Sequence, residues 1–291
     1  MKTKKALVQK ENSFFWGMVA LVWQALFFYL PLSFLLTTSF VKYLPSTTTS
    51  YFSLDYYFYL FQPVYGYIFL RSLLVASCTV LVTLAIAYPV AYYLALKVSN
   101  RWKSTLFALL ILPFWTNFLL LVYSWYFLLE SDGLVNTVLL KMGLISTPLH
   151  LMNTTGAIYF GMFYCYLPFM LLPLYSSLEK LDPKLLEASA DLGANFWQTL
   201  RNIIIPLTTS GIQTGALLVF VPAFGEFVIP ALLGGDKTMY VGSVITHYFL
   251  TVRNVPLGSA FTCMTALVLV AFVTIVFKIV RFAFGRDSYG S

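Results

Sequence analysis

One carboxylate stands out because of where it lies. Glu226 sits in the run Pro222-Ala-Phe-Gly-Glu-Phe-Val-Ile-Pro230, deep within a long apolar stretch. Holding an ionisable side chain mid-membrane costs about 2.5–3.5 kcal/mol on insertion scales, so it must face a cavity or a partner. With Phe224 and Phe227 beside it, the available chemistry is attraction of a cationic solute: charge from the carboxylate, π-faces from the rings. A structural ion pair with Arg71 is the competing reading. A second cluster, Pro113-Phe-Trp-Thr-Asn117 followed by Tyr123, Trp125 and Tyr126, offers π-faces and hydrogen-bonding groups at Trp115, Asn117 and Tyr123. Each aromatic face attracts an ammonium group by ~0.5–2 kcal/mol. An interfacial aromatic belt is the alternative, and it fits Trp125 and Tyr126 better.

A different kind of site lies between two apolar runs. Residues 187–206 read EASADLGANFWQTLRNIIIP, a charged and amphipathic interlude in a chain with few charges. Asp182 is placed to cap a helix whose first residue is Pro183, where the missing N–H costs nothing. Gly193 offers the positive φ that ends it. Asn195 and Gln198 form a capping-box pair for a second helix carrying Phe196, Trp197, Leu200, Ile203 and Ile204. Glu187 and Asp191 fall four apart on one exposed face. The segment therefore reads as two short helices hinged at Gly193, suited either to docking a partner or to lying on a membrane surface.

These sites need elements to carry them, and composition says what those are. The chain has 291 residues, 59% hydrophobic and only 10% charged. That charge content is less than half that of a soluble domain. Six apolar runs, roughly 14–40, 67–96, 105–129, 155–178, 207–233 and 258–283, are each long enough to cross ~30 Å of hydrocarbon as helices. The alternation of a membrane barrel is absent. Thirteen of the 18 Lys and Arg residues fall on one side of the resulting topology. They are Lys2, Lys4, Lys5, Lys10, Lys97, Arg101, Lys103, Lys180, Lys184, Arg201, Lys278, Arg281 and Arg286. Positive residues favour the cytoplasm, which puts both termini and residues 179–206 inside. The net charge of +7 is thereby explained by topology and calls for no nucleic acid.

Other chemistries are excluded. The phosphate-binding pattern G-x-x-x-x-G-K-[ST] is absent, so ATP hydrolysis is expected in a separate subunit. His150 and His247 lie in or near outer loops without an acidic cluster, so neither a metal site nor an intramembrane enzyme is indicated. Cys78, Cys165 and Cys263 fall within spans and read as packing residues. The N-terminal lysines and apolar stretch read as a retained helix, too long for a signal h-region. Pro206 marks a kink, Pro113 and Pro222 are placed to break spans near polar residues, and Leu134 to Leu144, bounded by glycines, reads as a short outer helix. A single transmembrane domain over 1–291 is the expected organisation.

The 187–206 segment resembles the cytoplasmic coupling loop of ATP-binding-cassette importer permeases. That pattern is Glu-Ala-Ala, three residues, Gly, nine residues, Ile, one residue, Leu-Pro. Glu187, Ala188, Gly193, Ile203 and Pro206 match it; Ser189 and Ile205 are mild departures. LPFWTNFLLLVYSWYFLL, SDGLVN and PAFGEFVIPALLGGDK resemble the permeases of bacterial spermidine/putrescine importers, and the resemblance spans nearly the whole chain. Leu121 departs from a basic residue in that family, and Glu226 takes the place of Asp or another acid. The resemblance implies an all-α, six-helix permease of the type I importer arrangement in the bacterial inner membrane. It implies a heterodimer with a second permease, two cytoplasmic ATPase subunits, an extracytoplasmic solute-binding protein, a small cationic substrate and no cofactor. Glu187, Ala188, Asp191, Gly193, Ile203 and Pro206 would couple to the ATPase. Glu226, Trp115, Asn117, Tyr123, Phe224 and Phe227 would line the solute pathway. An importer of an amino acid derivative, ferric iron or an oxyanion is the alternative within transport; a channel subunit or membrane enzyme lies outside it.

Overall fold

A computed structural model describes residues 18–43, 50–235 and 238–284. Lys2, Lys4, Lys5, Lys10, Lys237, Arg286 and the first residues of the 14–40 run lie outside them. The described residues are mainly helical, with one antiparallel pair of short strands. In order it forms α1 (Met18–Thr38), β1 (Val41–Tyr43), β2 (Ser50–Phe52), α2 (Asp55–Leu60), α3 (Pro63–Lys97), α4 (Asn100–Ile111), α5 (Phe118–Leu129) and α6 (Leu134–Lys141). There follow α7 (Thr155–Glu179), α8 (Pro183–Asp191), α9 (Phe196–Leu207), α10 (Thr209–Phe224), α11 (Val228–Leu233), α12 (Val241–Thr246) and α13 (Val255–Phe284). Five spans, α1, α3, the 118–141 stretch, α7 and α13, are long and apolar enough to cross a membrane. The bent pair α9 and α10 makes a sixth if counted as one.

Two of the predicted spans are interrupted. The 105–129 run is not one helix: α4 stops at Ile111, a 3-10 turn covers Leu112–Trp115, and α5 restarts at Phe118. Pro113 cannot donate to the ladder. Asn117 then caps the new helix, its side chain accepting from the Leu119 amide at 2.8 Å. The 207–233 run breaks after Phe224 and resumes at Val228. Pro222 is accommodated within α10, so the break falls at Gly225 to Phe227. The kink near Pro206 is a 67° bend between α9 and α10. Thr208 sits at the bend, fully buried, with its hydroxyl 3.0 Å from that of Tyr88.

Chain contacts gather into two units. One comprises residues up to 65 together with 245–268. In it β1 and β2 pair antiparallel, Val41 opposite Phe52, an element the composition did not suggest. Phe40 stacks on Phe52 and on Tyr57, and Ser39 and Tyr57 share a hydrogen bond of 2.8 Å. Lys42 Nζ reaches Asp55 at 2.6 Å; that hydrogen bond holds the Lys42 amine above, and the Asp55 carboxyl below, its ordinary range.

The other unit comprises residues 66–244 and those from 269 onward. Its centre is α7, opened by Thr154, whose hydroxyl accepts from the Ala157 amide at 3.1 Å. Ile158, Met162, Cys165, Met170, Leu171, Leu174 and Leu178 form its buried face. Helix α10 lies against α7 through Gly211-x-x-x-Gly215, a close-packing pattern that membrane helices use where apolar burial gives no drive. A Cβ at Gly211 would stand 2.5 Å from Ser177 Cβ and 2.8 Å from the Pro173 carbonyl oxygen; one at Gly215 would stand 2.7 Å from Met170 Sδ. The α5–α6 corner is tied by the SDGLVN segment. Gly133 leaves no room for a side chain, and buried Asn136 bonds the Glu130 carbonyl and both backbone groups of Leu149.

Overpacking typically costs about 1–3 kcal/mol. Gly211→Ile should therefore lower the melting temperature of the purified protein, whereas Gly66→Ala, with open space around the new methyl, should leave it unchanged or higher. Equal losses in the two variants would show that Gly211 does not set the α7–α10 contact.

Candidate functional site

Glu226 occupies the break in the fifth span, half-buried, and both of its oxygens are engaged. Oε1 accepts from the amides of Phe227 (3.0 Å), Val228 (2.8 Å) and Ile229 (3.4 Å), the unpaired donors that begin α11. Oε2 accepts from the Tyr166 hydroxyl of α7 at 2.5 Å. A carboxylate at a helix N-terminus is stabilised by the local dipole as well as by these bonds. The Arg71 ion pair is not formed: the Arg71 guanidinium lies over the Tyr240 ring, 5.4 Å from its centroid. Among the described residues the ion pair is Lys42–Asp55.

The pathway candidates divide by exposure. Trp115 is 83% exposed on the turn between α4 and α5, and Tyr123 and Phe227 are also exposed. Asn117 spends its oxygen on capping α5. Phe224 is buried. Helix α11 contacts both α5 and α7, so the break and the aromatic helix belong to one packed cluster. The Trp125 ring meets Phe160 and Tyr164 of α7 at 4.5 and 4.9 Å. Tyr166 was not legible beforehand, because one tyrosine among 20 carries no mark of its distant partner.

The polar interlude folds as two short helices about Gly193, whose φ is +76°. Asp182 caps α8 through the Lys184 amide at 3.0 Å. Asn195 and Gln198 complete a reciprocal capping box on α9. Glu187, Ala188, Asp191 and Pro206 are exposed and Ile203 is half-buried. Ser189 is buried and joins the helices across the hinge, its hydroxyl 2.7 Å from that of Thr199. Leu192 and Trp197 stand out into solvent, 89% and 73% exposed.

Comparison with known proteins supplies the family. Residues 87–286 match the family described as "Binding-protein-dependent transport system inner membrane component". The chain belongs to that family. It is 42% identical over 256 residues to the spermidine/putrescine transport system permease protein PotB of Escherichia coli (strain K12), covering 88% of this chain and 92% of that one. The Haemophilus influenzae protein of the same name is 40% identical, covering 83% of this chain and 85% of its own. The inner membrane ABC transporter permease protein YdcU of Escherichia coli is 32% identical, covering 77% and 74%. The fold is that of a chain in a bacterial ABC transporter involved in import of the acidic polysaccharide alginate, with TM-score 0.75 at 16% identity, covering 99% of this chain and 100% of that one. As a member of this inner-membrane family, the chain is all-α, multi-pass and a transport component without catalytic chemistry of its own.

Hydrogen bonds to a charged group are worth about 1.5–3 kcal/mol each, so Glu226→Ala should speed amide exchange at Val228 by ten-fold or more while leaving α7 protected. Glu226→Gln keeps an oxygen for those amides and should stay close to the parent. Unchanged exchange at Val228 in the alanine variant would show that α11 does not depend on this cap.

Proposed function

We propose that this chain is the membrane-spanning permease subunit of an ATP-driven importer that moves polyamines of the spermidine/putrescine class into the cytoplasm. The observation that carries this is 42% identity over 88% of the chain to a permease named for those solutes. Residues 1–291 work as one permease domain, paired with a second permease and driven by two cytoplasmic ATPase subunits. An extracytoplasmic binding protein delivers the solute; a neighbour of the same fold, the alginate transporter, has been solved in complex with a periplasmic protein. Both termini and residues 179–206 face the cytoplasm, as the asymmetry of lysine and arginine supports.

Glu187, Ala188, Asp191 and the Gly193 hinge present the surface on which an ATPase subunit docks, and Ile203 and Pro206 pass its movement to α10 through the 67° bend. Trp115, Asn117, Tyr123, Phe224, Glu226 and Phe227 mark the solute route. Hydrogen bonds to both of its oxygens fix where the Glu226 carboxylate stands. A polyamine, with ammonium groups separated by methylenes, suits such a charge beside exposed aromatic rings.

Orientation is tested with a single cysteine at Leu192, since Ser189 is buried. With the native cysteines removed, Leu192→Cys should react with impermeant reagents only in inside-out vesicles; labelling from outside whole cells would overturn the orientation and the coupling role with it.

Uptake by the reconstituted complex tests the rest. Glu226→Gln should reduce polyamine transport by ten-fold or more, as loss of a charge in a low-dielectric site implies. Trp115→Leu should cost only about two- to five-fold, the scale of one cation–π contact. Gly193→Pro cannot adopt a positive φ, and Glu187→Arg reverses a docking charge; both should uncouple ATPase stimulation from uptake with the spans inserted. Parent-rate uptake by the glutamine variant would remove the cationic route. Parent-rate coupling in both loop variants would reduce the loop to a surface helix.

A further inference from the structure

Glu226 is gripped on two sides, by the amides opening α11 and by Tyr166, itself 5% exposed. On a third side lies Tyr240, 2% exposed, whose hydroxyl has no hydrogen-bond partner. Tyr240 and Glu226 line the same small cavity with Ser72, Met162 and Pro230, and that cavity has no room for a water molecule. Ser72 Oγ accepts from the Val241 amide at 2.9 Å. The charged acceptor on that cavity is the Glu226 carboxylate. A buried hydroxyl without a partner calls for an explanation, and a partner that arrives in another conformation supplies one. The backbone adds a mechanical link: Gly242, in the first turn of α12, abuts the Gly225 carbonyl and the Glu226 backbone so closely that a Cβ would collide with both.

We propose that Tyr166 and Tyr240 are positioning residues that hold Glu226 in turn. Tyr166 holds it in the state described here and Tyr240 in the other state of the transport cycle, and the exchange carries α11 with it. Only hydrogen bonds are exchanged; each hydroxyl donates to the carboxylate and no proton is transferred. The proposal rests on the importer reading, which supplies the two states.

The test uses the full complex with its second permease and ATPase subunits. Ala231→Cys, on the exposed side of α11, is the reporter in a background with Cys78, Cys165 and Cys263 replaced by alanine. Its labelling rate is read without nucleotide and in the ATP-bound, vanadate-trapped state. Tyr166→Phe should change the nucleotide-free rate by about five-fold, the factor for one net hydrogen bond. It should leave the trapped rate near that of the parent. Tyr240→Phe should do the reverse, a state dependence that simple packing roles would not produce. If Tyr166→Phe prevents assembly, the trapped-state effect of Tyr240→Phe alone decides. A reporter in the parent complex that ignores ATP would remove the two states and the proposal with them. A responsive parent that Tyr240→Phe follows in both states would overturn the exchange while leaving the importer reading intact.

Discussion

Hydrocarbon offers no hydrogen bonds, so every interruption of a membrane-spanning helix must find its partners inside the protein. This constraint organises the breaks in the chain. Asn117 closes the one between α4 and α5. Thr208, sharing a hydrogen bond with Tyr88, occupies the bend between α9 and α10. Glu226 closes the one before α11, and it needs Tyr166 for its second oxygen. In each case a polar residue that looks costly in a span is the group that makes non-helical backbone tolerable there.

The same constraint explains why α7 is the platform. Its 25 residues, roughly 37 Å of helix, meet α10, α11 and α5. Where apolar burial provides no net drive between helices, contact is made by close approach. Gly211 and Gly215 admit α7 backbone and side chains to α10, and Gly161 and Gly234 do the same between α7 and α11. Helix α7 thus supplies both the tyrosine that holds the carboxylate and the surface against which α11 packs.

In the polar segment at 179–206, local chemistry is enough to shape the helices. Caps at Asp182 and Asn195 start its helices and a positive φ at Gly193 separates them. One non-local contact, Ser189 to Thr199, ties them together, and it involves a position where the chain departs from the coupling-loop pattern. Leu192 and Trp197 stand exposed on either side of the hinge.

What the sequence determined by itself was local or compositional: membrane residence from the length of apolar runs, the helices and hinge of the polar loop from caps and glycine, and the oddity of an acid at 226. These are legible because each depends on neighbours a few residues away. The pairing of β1 with β2 and the exact stops at Ile111 and Phe224 were not, since proline marks a weak point without saying which residue will close it. The partners were decided only by the tertiary structure. Tyr166 meets Glu226 across 60 residues and Arg71 turns to Tyr240 instead of to the carboxylate. Pairing at that separation depends on which helix faces lie together, and helices in lipid choose their faces by the fit of small and large side chains, a property no single position carries.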